Sequence, residues 1–402
     1  MKLFHKMFMI AFLGSAAAAL PAGAWADEPP PAVRAFLDNI ERQAAKPGYD
    51  SLVVDGSGKV TITNLTLAQQ GSGAEPGFTM KTARVEFSGI AEEAPSLYRV
   101  GRADFIDSSM TIGGAGMSFN LAMPQASAED WYIRALGDAP TPQEELLASG
   151  TFARKMNSGR MTVTVAGQTL SIDGLDSSWA GDARTGSGLF TMKVNNIAIP
   201  EGVLAAVDQA GLLKQLGYSS LNLDLATEGD MKVEGEDLSY SFDLGLSARD
   251  MATVKLGGSA SKVPLTVYSE LMKAQKDGKE PDFTALMPQI QNITVNGASF
   301  RFEDGSIVKK ALPLAAAMQG MDEKTLVASI PAGLQIMLMQ LQNEAFAKQA
   351  VEAVTAFLND PKSLTLKLSP ASPVPVAEIM AMDPNKPGEA ITRLGVSVTA
   401  ND

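Results

Sequence analysis

Two serine–lysine spacings offer the most specific catalytic chemistry in this chain. Ser259-x-x-Lys262 and Ser306-x-x-Lys309 match the spacing with which a lysine amine serves a serine nucleophile in penicillin-recognising enzymes. The Ser-Asp-Asn and Lys-Thr-Gly elements that complete those sites are absent. Ser259 also falls beside a predicted strand end, not at the start of a helix, so chance matches are the better account. Glu228, Asp230, Glu234, Glu236 and Asp237 form the densest acidic run. Carboxylates alone suit calcium, but no Asp-x-Asp-x-Asp-Gly loop is present. Strand alternation puts several of these residues on a wet face, where they discourage pairing between sheets. Gly113-Gly114-Ala115-Gly116 and the 181–188 stretch lack the Lys-Ser/Thr of a phosphate loop and read as hairpin loops. A carboxylate pair for glycoside cleavage is defined only in three dimensions. Trp131-Tyr132 and Trp179, the aromatic platforms such a site would want, read as core anchors.

Elimination goes further. The single histidine is His5, and there is no cysteine. Without residues 1–26 the chain has neither imidazole nor thiol, the usual bases, nucleophiles and soft metal ligands near neutral pH. The expectation is a non-enzyme with no catalytic, cofactor-binding or metal site, and no cofactor.

Residues 1–26 read as a cleavable signal peptide. Lys2 and Lys6 precede the apolar run Met7 to Leu20, and Ala24-Trp25-Ala26 is a small-x-small cleavage site. The run ends at Pro21, short of the roughly 20 residues a membrane span needs. An uncleaved anchor is the alternative. The expected location is the periplasm, with no transmembrane segment in the mature chain. Cleavage removes two lysines and takes the formal charge from −12 to −14. That sign argues against nucleic acid as a partner.

The expected fold class is α+β: β-rich, with large twisted antiparallel sheets from a duplicated unit, packed on amphipathic helices. Ser57-Gly58-Lys59-Val60-Thr61-Ile62-Thr63 is echoed by Ser158-Gly159-Arg160-Met161-Thr162-Val163-Thr164. Phe78-Thr79-Met80-Lys81 is echoed, in the same order, by Phe190-Thr191-Met192-Lys193. Leu221, Leu223 and Leu225, then Leu238, Tyr240, Phe242, Leu244 and Leu246, alternate with polar residues. That is the period of strands with one dry face. Ile293, Val295, Phe300 and Phe302 flank an Asn296-Gly297 turn and predict a hairpin. Beyond the signal segment, the expected divisions are 27–156, a second β-rich unit at 157–290, and 291–402 completing it.

Helices are expected at 31–46, with Val33, Phe36, Leu37 and Ile40 on one face, and at 142–156 and 200–216. The longest helical segment is 322–359, capped by Asp322 and split by Pro331. Its apolar stripe includes Leu334, Met337, Leu338, Leu341, Val351 and Val354. These six are the candidate lining of an apolar-ligand groove between sheet and helix; filling an ordinary core is the competing use.

Long antiparallel meanders lead to Ser299-Phe300-Arg301-Phe302-Glu303-Asp304-Gly305-Ser306, an amphipathic helical stretch, and Phe357-Leu358-Asn359-Asp360-Pro361. Leu364, Leu366 and Leu368 then resume strand alternation before a proline-rich tail. This layout resembles the YdgA-like bacterial envelope proteins and, more distantly, the AsmA-like group. The resemblance implies an elongated β-rich periplasmic protein tied to envelope upkeep, with phospholipid movement associated with the AsmA-like relatives. It carries over no catalytic residues, and the chain departs from both groups in lacking a retained anchor. The expected function is non-enzymatic binding of a lipid or other apolar ligand. The alternative is an adaptor docking envelope proteins through an extended 369–390 segment, and a more remote one a carboxylate or Ser-Lys hydrolase.

Overall fold

The computed structural model describes residues 28–43, 47–69, 77–114, 117–150, 152–165, 167–208, 210–276 and 280–402. Residues 1–26, the expected signal segment with His5 and Ala24-Trp25-Ala26, lie outside the described residues. The fold is α+β, with 48% strand and 30% helix. It divides into two compact units, residues 1–197 with 265–282, and 198–264 with 283–402. This differs from the expected stretches: a boundary at 156 would cut through a strand, and residues 152–182 are hydrogen-bonded into the first unit's sheet.

The first unit opens with helix α1 (Pro31–Gln43). Strands β1 (Ser51–Val54), β2 (Val60–Gln69), β3 (Gly77–Ala94), β4 (Leu97–Gly114) and β5 (Met117–Arg134) follow as an antiparallel meander. Helix α2 (Pro142–Ser149) leads to β6 (Phe152–Ser158), β7 (Met161–Val165), β8 (Gln168–Asp182) and β9 (Ser187–Ile199). Helix α5 (Leu265–Lys276) returns to this unit and packs on α2.

The inward face of this sheet slips by one residue at a shared row. Val60 and Ile62 are buried in β2, then Leu65 and Leu67; in β3 the sequence is Phe78, Met80 and Thr82, then Val85 and Phe87. At that row Asn64 and Asp107 adopt φ of 52° and 53°. Asn and Asp tolerate this left-handed conformation best among non-glycine residues, and it turns the strand so that apolar residues on both sides face inward. A second such row contains Gly89 (φ 64°) and Asp130 (φ 46°). There a Cβ on Gly89 would meet the Gly101 backbone at 3.3 Å.

Helix α1 closes the inward face. Val33, Phe36, Leu37 and Ile40 are all buried, as their spacing predicts. Phe36 meets Phe87 at 5.3 Å and Trp131 at 5.5 Å between ring centroids, both edge-on. Asn39 Nδ2 donates to the Arg134 carbonyl at 2.7 Å, tying the helix to the end of β5.

The second unit contains α3 (Glu201–Val207), α4 (Leu212–Gln215), β10 (Leu221–Glu234), β11 (Asp237–Ala248), β12 (Ala252–Pro264), α6 (Phe283–Ile290) and β13 (Thr294–Asp304). Then come α7 (Ile307–Met318), α8 (Glu323–Met339), α9 (Glu344–Asn359), β14 (Ser363–Leu368), β15 (Val374–Pro375), α10 (Val376–Met380), α11 (Pro387–Arg393) and β16 (Val396–Ala400). The strand order is β10-β11-β12-β13-β14-β16, with β15 against the start of β13.

Several local expectations change. The helix expected at 142–156 ends at Ser149, and Phe152 begins β6. The 200–216 helix is two short ones, because Gly211 is left-handed at φ 64°. Asn296-Gly297 does not turn a hairpin. Ser259 pairs with Gly297 and Ala260 with Val295, so Asn296 is the extra residue of a β-bulge inside one strand. Pro331 lies inside α8 without splitting it. The break comes at Gln342 (φ 53°), after which Asn343 caps α9 by accepting from the Phe346 amide at 3.0 Å. Asp322 does cap α8, accepting from the Thr325 amide at 3.0 Å.

The echoed segments also occupy unlike places. Gly58 (φ 79°) lies in the tight turn that joins β1 to β2. Gly159 lies at the break between β6 and β7, two pieces of one interrupted path that both pair with β5 and β8. Similar sequence here reflects strand-and-turn chemistry, not equivalent topology.

Candidate functional site: an open apolar sheet face

In the second unit, period-2 alternation combines with register to sort side chains by face. Leu244, Leu256, Phe300, Leu366 and Val398 stand opposite one another across five strands. The next row on that face is Leu225, Leu246, Val254, Phe302, Leu364 and Ala400. On the opposite face the corresponding row is Glu228, Asp243, Gly257, Ser299, Lys367 and Ser397. One side is predominantly apolar, with Thr227 beside Leu244 and Asp304 beside Ala252 as its polar members, and the other is polar.

The polar side is held by charge. Lys255 Nζ and Arg301 Nε meet the same Glu303 oxygen at 2.8 and 2.7 Å. Arg301 Nη1 meets Asp402 at 2.5 Å, and the Thr399 hydroxyl donates to Asp402 at 2.7 Å. The Thr399 hydrogen bond and the Arg301 guanidinium hold the Asp402 carboxyl at about 2, below its ordinary value.

The apolar side is only partly covered. Helix α9 lies on β14 and β16, and Phe357 meets Phe302 edge-on at 6.0 Å. The buried face of α9 is otherwise Ala347, Ala350 and Ala353, small residues that cover little sheet area. Helix α8 packs on α7 and α9. Tyr240, Phe242, Leu246, Leu256, Phe300 and Leu366 remain 37–40% exposed. The Tyr240 and Phe242 rings stack at 6.5 Å. These six side chains span four adjacent strands, and a contiguous exposed patch of this kind is uncommon on a surface that contacts only water.

The predicted lining residues lie on α8 and α9 or just beyond α8. Leu334, Leu338 and Leu341 are half-buried at or beyond the end of α8, while Met337 is 68% exposed. Val351 and Val354 are half-buried on α9, beside its alanine face. Packing of α8 on α9 brings the two helices together, and the six exposed sheet residues stand on other elements. The signal for the open face was the alternation at 238–246 and in Phe300, Phe302, Leu364 and Leu366. Alternation identifies an apolar face without giving the area of its cover.

The catalytic candidates do not assemble. The Ser306 hydroxyl donates to the Asp250 carbonyl at 2.5 Å and accepts from the Tyr218 hydroxyl at 2.8 Å. Lys310, not Lys309, approaches that tyrosine, 3.7 Å above its ring. Ser259 is mid-strand opposite Ser241 and Gly297, and Lys262 occupies an irregular position at φ 55°. Among the described residues no three acidic or histidine side chains form a group able to hold a metal ion. Glu228 and Asp230 project from the polar face of β10, and Glu236 lies in the turn to β11. Trp131 and Trp179 are both core anchors, the latter edge-on to Phe152 at 5.1 Å. Gly181 and Gly188 oppose each other near the β8–β9 turn, where a Cβ on either would approach the other's Cα to within 2.7 Å. Gly113 and Gly114 end β4, and Ala115-Gly116 lie outside the described residues.

The 369–390 segment is folded, not extended. Val374 is fully buried against the start of β13, α10 and α11 occupy much of the rest, and Arg393 pairs with Glu378. Among the described residues no helix is long and apolar enough to cross a membrane.

A family model described as "Uncharacterized protein" matches residues 245–401, from the middle of β11 through β16. The match includes Leu246, Leu256, Phe300 and Leu366 of the open face and leaves out Tyr240 and Phe242. No curated protein matches the chain.

Proposed function

We propose that this chain is a non-enzymatic envelope protein, exported to the periplasm with residues 1–26 removed, that holds a lipid or other apolar ligand on the second unit's sheet. The supporting observation is the open patch of Tyr240, Phe242, Leu246, Leu256, Phe300 and Leu366. Such a surface binds by area, at roughly 25 cal/mol per Å² of apolar surface removed from water. It selects for apolar chain length more than for a particular polar group.

Native mass spectrometry of protein released from the periplasm without detergent, followed by solvent extraction, tests this. The expected result is a reproducible extra mass that resolves into lipid and is lost in a Leu256→Asp, Phe300→Asp variant. A bare polypeptide mass, or an adduct the variant leaves unchanged, would overturn it, and the bare mass would favour a docking protein.

A further inference from the structure

Sulfur in this chain is carried by methionine alone, with 20 methionines and no cysteine. The two units hold that sulfur differently. In the first, Met80, Met110, Met123, Met156 and Met161 are buried at 4–9% exposure, and Met192 is half-buried. In the second, four methionines stand in water at helix ends. Met318 ends α7, Met337 and Met339 lie in the last turn of α8, and Met380 ends α10. They are 74%, 68%, 70% and 55% exposed. All four are more open than any of the six residues of the sheet patch, which reach 40%. Among the described residues, no methionine of the second unit is buried.

We infer that Met318, Met337, Met339 and Met380 are reversible oxidation sites through which the second unit consumes peroxide. A thioether has no proton to lose, so access to the sulfur governs its reaction with a two-electron oxidant. In each event the sulfur attacks one peroxide oxygen. The S–O bond forms as the O–O bond breaks, sulfur gives up two electrons, and the second oxygen leaves as water. Two thiols of a sulfoxide reductase reverse the change, ending as a disulfide on the reductase with release of one water. The product sulfoxide is polar. At an exposed helix end it stays hydrated, whereas in a core it would lose water without gaining a partner. Oxidation at these four sites therefore leaves the fold intact. The first unit's buried methionines react only when its core opens. With no thiol in the chain, no sulfur competes for the oxidant or is trapped as sulfinic acid. This inference does not rest on ligand binding at the sheet.

The experiment treats the purified protein with hydrogen peroxide and maps sulfoxide by peptide mass spectrometry over time. Oxygen should appear at the four sites at least about tenfold faster than at Met80, Met110, Met123, Met156 and Met161. The melting profile should be unchanged once the four are oxidised. The two methionine sulfoxide reductases that act on the two sulfoxide epimers, supplied with dithiothreitol, should then remove the added oxygen. A Met318→Leu, Met337→Leu, Met339→Leu, Met380→Leu variant should melt like the wild type and consume peroxide at least about threefold more slowly. Oxidation spread evenly over buried and exposed methionines would overturn the inference. So would a lowered melting temperature after the first oxygens, sulfoxides that the reductases leave in place, or a quadruple variant that consumes peroxide as fast as the wild type.

Discussion

The two units solve the same problem to different extents. Both build an antiparallel sheet with one apolar face, and each lays a helix on it. In the first, α1 brings Val33, Phe36, Leu37 and Ile40, and the sheet residues beneath, Val60, Ile62, Val85, Phe87 and Val100, are fully buried. In the second, α9 brings three alanines and Phe357, and six large apolar side chains stay more than a third exposed. The difference lies in the cover, not in the sheet's alternation: α9 lies on β14 and β16 with small residues, while four of the six exposed side chains stand on β11 and β12. A face closed by large residues is a core, whereas one covered by small residues keeps apolar area available for something else.

The largest expected effect sharpens that contrast. Phe87→Ala removes a fully buried ring that contacts Phe36, and should cost about 3–5 kcal/mol. Trp131 and Trp179 are both in the first unit, so denaturant titration followed by tryptophan fluorescence reads this loss directly. Phe300→Ala, made on the open face, should cost about half as much or less, because its ring is already 40% exposed. Hydrogen exchange across β12–β14 reads the second change. Equal costs would mean that the second face is as dry as the first.

Filling the cover is the next test. Ala350→Leu adds about three carbons at a buried position of α9, an overpacking worth about 1–3 kcal/mol. Exchange should rise in β14 and β16, the strands under α9, while the tryptophan-reported stability of the first unit holds. A neutral or stabilising result would show room beneath α9 and weaken the link between alanine and close approach.

Much of this arrangement was legible in the sequence, and the misreadings share a cause. Strand alternation at 238–246 and the α1 spacing were unambiguous because periodicity records burial directly. Asn296-Gly297 was misread because the same dipeptide serves a hairpin turn and a bulge, and only the partner strand decides between them. Pro331 was expected to break a helix, but tertiary packing of α8 on α7 and α9 keeps it continuous despite the lost amide donor. The six helical residues expected to line a groove lie on α8 and α9 or just beyond α8, not on the open sheet face. Tyr240, Phe242, Leu256 and Phe300 were recognisable as one face but not as an open one. Exposure depends on what another element, far along the chain, brings to that face.

The smallest expected effect concerns the opposite side of the second sheet, which needs no cover. Asp402 titrates at about 2, chiefly through the Thr399 hydrogen bond and then Arg301. Its folded value lies below the ordinary 3.8, so the folded state binds this proton more weakly than the unfolded chain does. The resulting stabilisation is fully present above about pH 4 and is lost as the pH falls through about 2. The paired side chains are 26% and 46% exposed, so screening by water keeps the contribution below about 1 kcal/mol. Asp402→Asn should therefore differ from wild type by a small amount at pH 5, and the gap should close at pH 2. Comparing exchange in β13, β14 and β16 at the two pH values measures it. A gap that persists at pH 2 would mean that Asp402 acts through geometry alone. A gap that closes would show that ion pairs organise the polar face at small cost, leaving the apolar face as the side of the sheet where burial still has free energy to offer.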